Sequence, residues 1–577
     1  MDAFKLCKLV VVFSKRSVQL LTLCFLASLQ TQPAFAELTT IMLPMHTILQ
    51  ASKSGDATTA GITVHDITAG QSSSAGLTAS TAIPQPSIIT LPASTPSETN
   101  SPSAIADQSA TSQSESQPLK GSTAEPAKLK GRVVVPANPY RGVNNSNTPF
   151  APEGTVRRGL PAPLDPVFPS TEYIGIASQI QIGIPDQDPM FPLEKAIYKA
   201  CPLLAKYRIK IYGWANPGVD YSSSHRANTP LSYFAVPRHI EMDQAVFRVE
   251  RVPDTVQNEH MDWGFRTTLL YGIDYRWTTA EGWYPASAEL LKHNQLYGLD
   301  PVELYGLLYI PKVAQGMVLK FGRYISPPDI EAQLAPDNYL WTHSLMFDYD
   351  AYTQTGLLAS IKLNDSWMVQ AGICAGSDIA PWSKPAIPTG TLLLRWQAHN
   401  NKDMLYGGCN SINNGQFRLY GEHDNLQQFN LTWFHRFNRR FHIATEGYFL
   451  YTFNALQGGT VNNGPPRNFD TLTGPGKILP GFSEAWGIVS YWNYKVTDRD
   501  YISLRPIDYL IDPRGWRSGF PGYYSDWTIG WIHRFSDLLT IRPEIRYERA
   551  LNNYSAPWDN GQRRYQFTFG FDVIQRF

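Results

Sequence analysis

The chain has 577 residues, and its 49 basic and 49 acidic side chains cancel to a formal net charge of zero. No basic run is present that would track a phosphate backbone, which argues against nucleic acid as a partner. Aromatic residues make up 12% of the chain, with 15 Trp and 30 Tyr, a supply that suits two membrane interfaces. An aromatic-rich soluble sandwich or carbohydrate binder has a similar composition.

The first 36 residues read as an export signal. Lys5, Lys8, Lys15 and Arg16 form a positive n-region, Val18 to Leu29 an apolar h-region, and Ala34-Phe35-Ala36 a small-x-small cleavage site before Glu37. A lipid attachment at Cys24 fits less well, because the large Leu23 precedes it. Beyond this signal no run reaches the roughly 18–20 apolar residues of a spanning helix. An exported chain of this kind is secreted, periplasmic or embedded as a barrel. It keeps Cys201, Cys374 and Cys409, an odd set without metal-type spacing, so neither a disulfide framework nor a metal site is expected.

Residues 37–170 are rich in Ser, Thr, Ala, Pro and Gln and cannot bury enough apolar surface to offset the entropy of ordering, so a disordered arm is expected. Residues 171–206 form a short N-terminal segment. Within it Leu193, Ile197, Ala200 and Leu204 recur at helical spacing, and Pro202 should end or kink the helix. Such a helix would cap the periplasmic mouth of a barrel or simply pack against it.

From 207 to 577 the period changes to two, and sixteen strands are expected, among them 263–277, 301–311, 403–412, 500–510, 539–550 and 562–577. Ile541, Pro543, Ile545 and Tyr547 alternate with Arg542, Glu544, Arg546 and Glu548. In the last strand Tyr565, Phe567, Phe569, Phe571 and Val573 alternate with Gln566, Thr568, Gly570 and Asp572, and Phe577 ends the chain. That is the pattern of a closing outer-membrane strand, lipid on one face and water on the other, and the strand through which barrel-assembly machinery would act. Gln575 departs from the alternation.

The connections sort by parity. Short turns, Asn364-Asp365-Ser366, Asn401-Lys402, Asn438-Arg439-Arg440, Thr497-Asp498-Arg499 and Ser536-Asp537-Leu538, all follow even strands, whereas long connections such as 327–351 and 454–483 follow odd ones. A barrel with both ends in the periplasm must behave this way, and a two-sheet sandwich has no reason to. The expected fold is therefore an all-β transmembrane antiparallel barrel of about 16 strands.

Several stretches also resemble a known family, the beta-barrel porin-2 group (OmpL-like). They are YGW near 212, DWGFRTTLLYGIDYR from 262, GRYISPPDIEAQLAPDNYLWTHSLMF from 322, YTQTGLLASIKLNDSWMVQAGI from 352 and HRFNRRFHIATEGYF from 435. The resemblance covers roughly 190–577 and implies an outer-membrane barrel with a pore function; it supplies no catalytic residues and no substrate.

Catalytic chemistry finds little support. Gly474-Pro475-Gly476-Lys477 lacks the rest of a phosphate loop, and no Gly-x-Ser-x-Gly elbow occurs. His423-Asp424 in an outer loop could serve a hydrolase as base and orienter but has no evident partner. No cofactor is expected. A pore has better candidates. Arg266, Arg395, Arg436, Arg534, Arg542, Arg546 and Arg564 lie opposite the apolar face, with Asp274, Glu446, Asp526, Glu544, Glu548 and Asp572 among them. Charges there are costly against lipid and cheap in a watery lumen, where they line the pore or brace its wall as ion pairs.

The third long loop, from Pro327 to Ala351, carries Asp329, Glu331, Asp337, Asp348 and Asp350 but no Lys or Arg. Its Leu334, Tyr339, Leu340, Trp341, Leu345, Met346 and Phe347 need something to pack on, so inward folding opposite the arginines is expected, with Asp329, Glu331 and Asp337 at the constriction. The expected function is a passive, water-filled outer-membrane channel for small hydrophilic solutes. A sugar-selective or polysaccharide-export porin, a structural or adhesive barrel without an open pore, and an outer-membrane hydrolase are the alternatives. Monomer and trimer both stay open.

Overall fold

The computed structural model describes Ile182 and residues 191–577, apart from 256, 292, 294, 365, 399–401, 417–424, 439, 456 and 458–477. His423-Asp424, the sequence's one hydrolase candidate, lies outside the described residues, as do residues 1–36, read from the sequence as an export signal, and almost all of residues 37–190.

Sixteen strands, each hydrogen-bonded antiparallel to its chain neighbours, close into a barrel when the first pairs with the last. They are β1 (Lys210–Ser222), β2 (Ile240–Arg251), β3 (Asp262–Gly272), β4 (Gly298–Ile310), β5 (Met317–Ile325), β6 (Thr353–Lys362), β7 (Trp367–Ser377) and β8 (Thr389–Gln397) in the first half. The second half comprises β9 (Asp403–Ile412), β10 (Gln427–Arg436), β11 (Phe441–Phe453), β12 (Phe482–Lys495), β13 (Asp500–Asp512), β14 (Gly522–Arg534), β15 (Leu539–Ala550) and β16 (Tyr565–Arg576). Closure leaves no unpaired sheet edge, the condition for carrying backbone amides through hydrocarbon.

Burial along β16 runs opposite to a soluble sheet. Phe567 and Phe569 are 43% and 49% exposed, while Gln566, Thr568 and Asp572 are at most 2% exposed. Apolar rings outside and polar groups inside make the outer surface a lipid-facing one. Gln575 lies on that outer face near the strand's end and Phe577 is 40% exposed there. Connections after β6, β8, β10, β12 and β14 are short turns at one end of the barrel, and the long loops gather at the other.

The third strand stops earlier than its alternation suggests. At Gly272 φ is 153°, and a Cβ there would collide with the Asp243 carbonyl, so the chain leaves the ladder and makes one helical turn, Tyr275–Thr278. Ile273 and Asp274 thus belong to a loop folded into the barrel, where Asp274 accepts from Gln244 Nε2 at 2.8 Å.

Before β1, helices α1 (Pro192–Ala200) and α2 (Pro202–Lys206) meet at Pro202, whose missing N–H is harmless at the first helical position. They sit at the short-turn end, where the Phe191 ring lies 5.6 Å from Tyr212 and Arg576 covers its other side. Ile182 packs in the same half of the barrel with Tyr305, Tyr309 and Val318.

Candidate functional site: a loop docked in the lumen

The connection after β5, residues 326–352 and here termed L3, runs into the barrel interior. It turns in after Pro327 and Pro328, with Asp329 at φ 126°, a backbone region that L side chains rarely adopt. Leu334, Leu340, Leu345 and Met346 are at most 3% exposed. These apolar side chains supply the packing an exposed loop would have lacked.

Small residues in the wall make room for them. A Cβ on Gly530 would meet Leu340, one on Gly487 would meet Met346, and the Trp341 indole lies over both Gly218 and Gly570. Trp341 Nε1 also donates to Asp243 Oδ2 at 2.9 Å, so the indole is held by shape on its face and by a carboxylate at its edge.

Three wall arginines hold the loop's backbone. Arg542 Nη1 donates to the carbonyls of Ala335, Asn338 and Leu340 at 3.0, 2.9 and 3.0 Å, and its Nε to Asp572 Oδ1 at 2.9 Å. Arg505 donates to Thr342 O at 2.8 Å and, through Nε, to Asp526 at 2.8 Å. Arg546 reaches the His343 carbonyl and pairs with Glu548 at 2.8 Å. Wall carboxylates take the loop's amides: Glu544 accepts from Trp341 N at 3.0 Å, Asp508 from Leu345 N at 2.9 Å, and Glu446 from Ile330 N at 2.7 Å. Buried backbone groups need such partners, and charged ones give the stronger hydrogen bonds.

The expected meeting of L3 carboxylates with wall arginines is therefore replaced, along β13 and β15, by arginine on carbonyl. The loop's acids make their hydrogen bonds elsewhere, while Glu331 lies in the electrostatic neighbourhood of Arg505 and Asp348 in that of Arg546. Glu331 accepts from Ser344 N at 2.9 Å and Tyr491 OH at 2.7 Å, with His343 Nδ1 at 3.4 Å. Asp329 adjoins Asp350, whose carboxylate accepts from Gln428 at 2.6 Å. Asp337 stands in the electrostatic neighbourhood of Arg266.

The remaining wall carries its own charged set. Arg266 pairs with Glu250 at 2.7 Å, Arg248 with Glu303 at 2.9 Å, and Lys320 Nζ sits 4.7 Å over Tyr305. Arg395 neighbours Tyr406, whose hydroxyl donates to Gln370 Oε1 at 2.6 Å. Arg436 and Arg534 are half-buried at the ends of β10 and β14, and Arg534 binds Asp537 in the following turn at 2.7 Å, which puts both at the short-turn rim and away from L3. Arg564 precedes β16 and is exposed.

Asp243, Asp300, Glu303, Arg505 and Asp508 were not legible as lumen residues. Each adjoins a break in pairing register: between Asn216 and Pro217 in β1–β2, between Thr268 and Leu270 in β3–β4, and between Arg505 and Tyr509 in β13–β14. An extra residue there shifts the phase of the alternation. A partial signal for them is a proline inside a strand, at Pro217, Pro301 and Pro506, although Pro543 of β15 keeps regular register.

Fold and lumen define a transmembrane barrel of the outer-membrane type with an inward-folded loop. Residues 208–577 match the family described as "Putative beta-barrel porin-2, OmpL-like"; the chain belongs to that family and is an outer-membrane porin. No curated protein sequence matches the chain. Among solved structures it is similar to an anion-selective porin from Comamonas acidovorans, at 8% identity over 64% of this chain and 99% of that one, TM-score 0.41. OmpT, an outer-membrane protein of Vibrio cholerae, gives 10% identity over 64% and 97%, TM-score 0.39. The outer membrane channel DcaP of Acinetobacter baumannii gives 8% over 64% and 97%, TM-score 0.38.

Proposed function

We propose that small hydrophilic solutes pass beside L3, between its acidic residues and the charged wall of β3 to β8, and are selected there by charge. The observation that carries this is the docking of the loop: its backbone is bonded to Arg505, Arg542 and Arg546 of β13 and β15, while Asp337 stands in the electrostatic neighbourhood of Arg266 on β3. Opposed acids and bases across a narrow aqueous path produce a transverse field that sorts permeating ions. Asp329 and Asp337 supply its negative side, with Arg266 and Arg395 on the positive side, and Glu331 adds its charge from the β12 side of the loop.

The same reading makes the protein a channel rather than an enzyme. It also has residues 1–36 removed before Glu37, residues 37–170 left as a disordered periplasmic arm, and β16 presented to the barrel-assembly machinery. Reversal potential in a planar bilayer under a salt gradient tests the selectivity. Replacing Asp329, Glu331 and Asp337 together by Asn, Gln and Asn should shift it toward anions. An unchanged potential in a folded, conducting barrel places these groups off the permeation path.

A further inference from the structure

The outer wall carries one arrangement twice, at the short-turn rim. β10 and the residue after it read Trp433-Phe434-His435-Arg436-Phe437, and β14 and the residue after it read Trp531-Ile532-His533-Arg534-Phe535. In each, the histidine stands directly opposite an aspartate that opens the preceding strand, His435 on Asp403 and His533 on Asp500. The Nδ1 to Oδ1 distances are 2.6 and 2.7 Å. The tryptophan Nε1 donates to the same carboxylate oxygen, at 3.3 and 3.1 Å. A phenylalanine two residues on meets the imidazole edge to face, centroids 4.4 and 4.5 Å apart. An exposed basic residue precedes each aspartate, Lys402 and Arg499, and its carbonyl accepts the backbone N–H of Arg436 or Arg534.

Two sites four strands apart thus share six positions and one hydrogen-bond pattern. Aromatic packing alone accounts for Trp and Phe at a membrane interface, but it does not call for an aspartate on the lipid-side rim. What the aspartate does is fix the imidazole: with Nδ1–H donated to the carboxylate, Nε2 is the ring's remaining polar atom. His435 and His533 are each 23% exposed at the side chain, so the ring is only partly covered. The rim lies at headgroup depth on the periplasmic side, since short turns face the periplasm in this class.

We propose that each quartet, Asp403-Trp433-His435-Phe437 with Lys402 and Asp500-Trp531-His533-Phe535 with Arg499, binds the phosphate of an inner-leaflet glycerophospholipid. Nε2–H of the imidazolium and the basic side chain donate to the phosphate, and Trp and Phe lie along the first acyl carbons. As the imidazolium, each histidine offsets the charge of its aspartate, and the exposed Lys402 or Arg499 beside the pair adds a positive charge.

The test is native mass spectrometry of the full barrel in detergent with phosphatidylglycerol added. Wild type should retain two lipids. Both His435→Phe/His533→Phe and Lys402→Gln/Arg499→Gln should weaken retention roughly tenfold, the loss of a charge-assisted hydrogen bond. Lys312→Gln, at an exposed turn position without the quartet, should not. Equal retention by all variants overturns the proposal, and so does full displacement of lipid by an equal concentration of inorganic phosphate, which would mark a plain anion site. If the histidine variant fails to show the heat-shifted band of a folded barrel, the charge variant decides by itself.

Discussion

Arg505 and Asp508 stand three residues apart on β13, yet both side chains point into the lumen and are fully buried. Strict alternation would put one of them in lipid. The bulge between them absorbs the difference: Pro506 and Ile507 both turn outward, and four residues of β13 span what three of β14 span. Deleting Pro506 should therefore leave every inward charge inward and the barrel able to fold. Deleting Ile529, where β14 pairs regularly with β15, flips the rest of the strand. In heat-modifiability gels the first deletion should keep the folded band and the second should lose it.

Arg542 is the principal fastening of L3. Arg542→Gln removes three carbonyl contacts and leaves the buried Asp572 carboxylate without its guanidinium. Breaking a buried pair in this way costs about 3–5 kcal/mol, enough to let the loop open without unfolding the strands. Amide exchange in 330–345 should then rise by about a hundredfold or more while β11 and β12 stay protected, and single-channel conductance should increase. Unchanged exchange would show that Arg505 and Arg546 hold the loop without it.

The two faces of β16 should fail differently. Phe569 lies outward near mid-strand, so Phe569→Arg should cost about 2–4 kcal/mol in lipid. Thr568 faces inward but is only 2% exposed, so Thr568→Arg is not the mild change that a water-filled surface would allow. Overpacking predicts a penalty of about 1–3 kcal/mol there. Urea unfolding in bilayers of increasing thickness separates the two, because only the first penalty should vary with thickness.

Asp378, just beyond β7, accepts from Thr353 N at 2.8 Å and Thr353 Oγ1 at 3.0 Å, and burial pushes its carboxyl up to about 7 in spite of those bonds. A carboxyl raised above its unfolded value binds its proton more tightly in the folded state, so its contribution to stability declines as pH rises from about 4 to about 7 and is level above that. The slope is at most about 1.4 kcal/mol per pH unit. Asp378→Asn should flatten it, seen as a smaller change in urea midpoint between pH 5 and 7.5 than in wild type.

Much of the barrel was legible because it is local. The Ile541 and Arg542 series alternates over a whole strand, and turn chemistry such as Asn364 or Asn438 marks each short-turn end. The loop's inward course was also legible, from the apolar load on Leu334, Leu340 and Met346. Its fastenings were not. Arg542 and Ala335 are far apart in the chain, and a carbonyl leaves no mark in a sequence, so complementary charge suggested carboxylate partners where the backbone was the partner. Part of the second omission has one cause: Asp300 and Glu303, like Arg505 and Asp508, flank a bulge, and a period-two reading loses its phase there, whereas Arg248, Glu250 and Lys320 lie in regular register.

The placing of L3's partners also dictates a timetable. The loop leaves the wall between β5 and β6, but the groups that receive it stand on β2, β10 to β13 and β15. Through synthesis and insertion the loop therefore has only β2 to dock on until the far side of the cylinder exists. Its leucines and Trp341 must be shielded in the interim, and the water they displace can leave only after the wall is complete. Interior drying comes last, so a barrel arrested late in assembly would already be closed yet abnormally leaky.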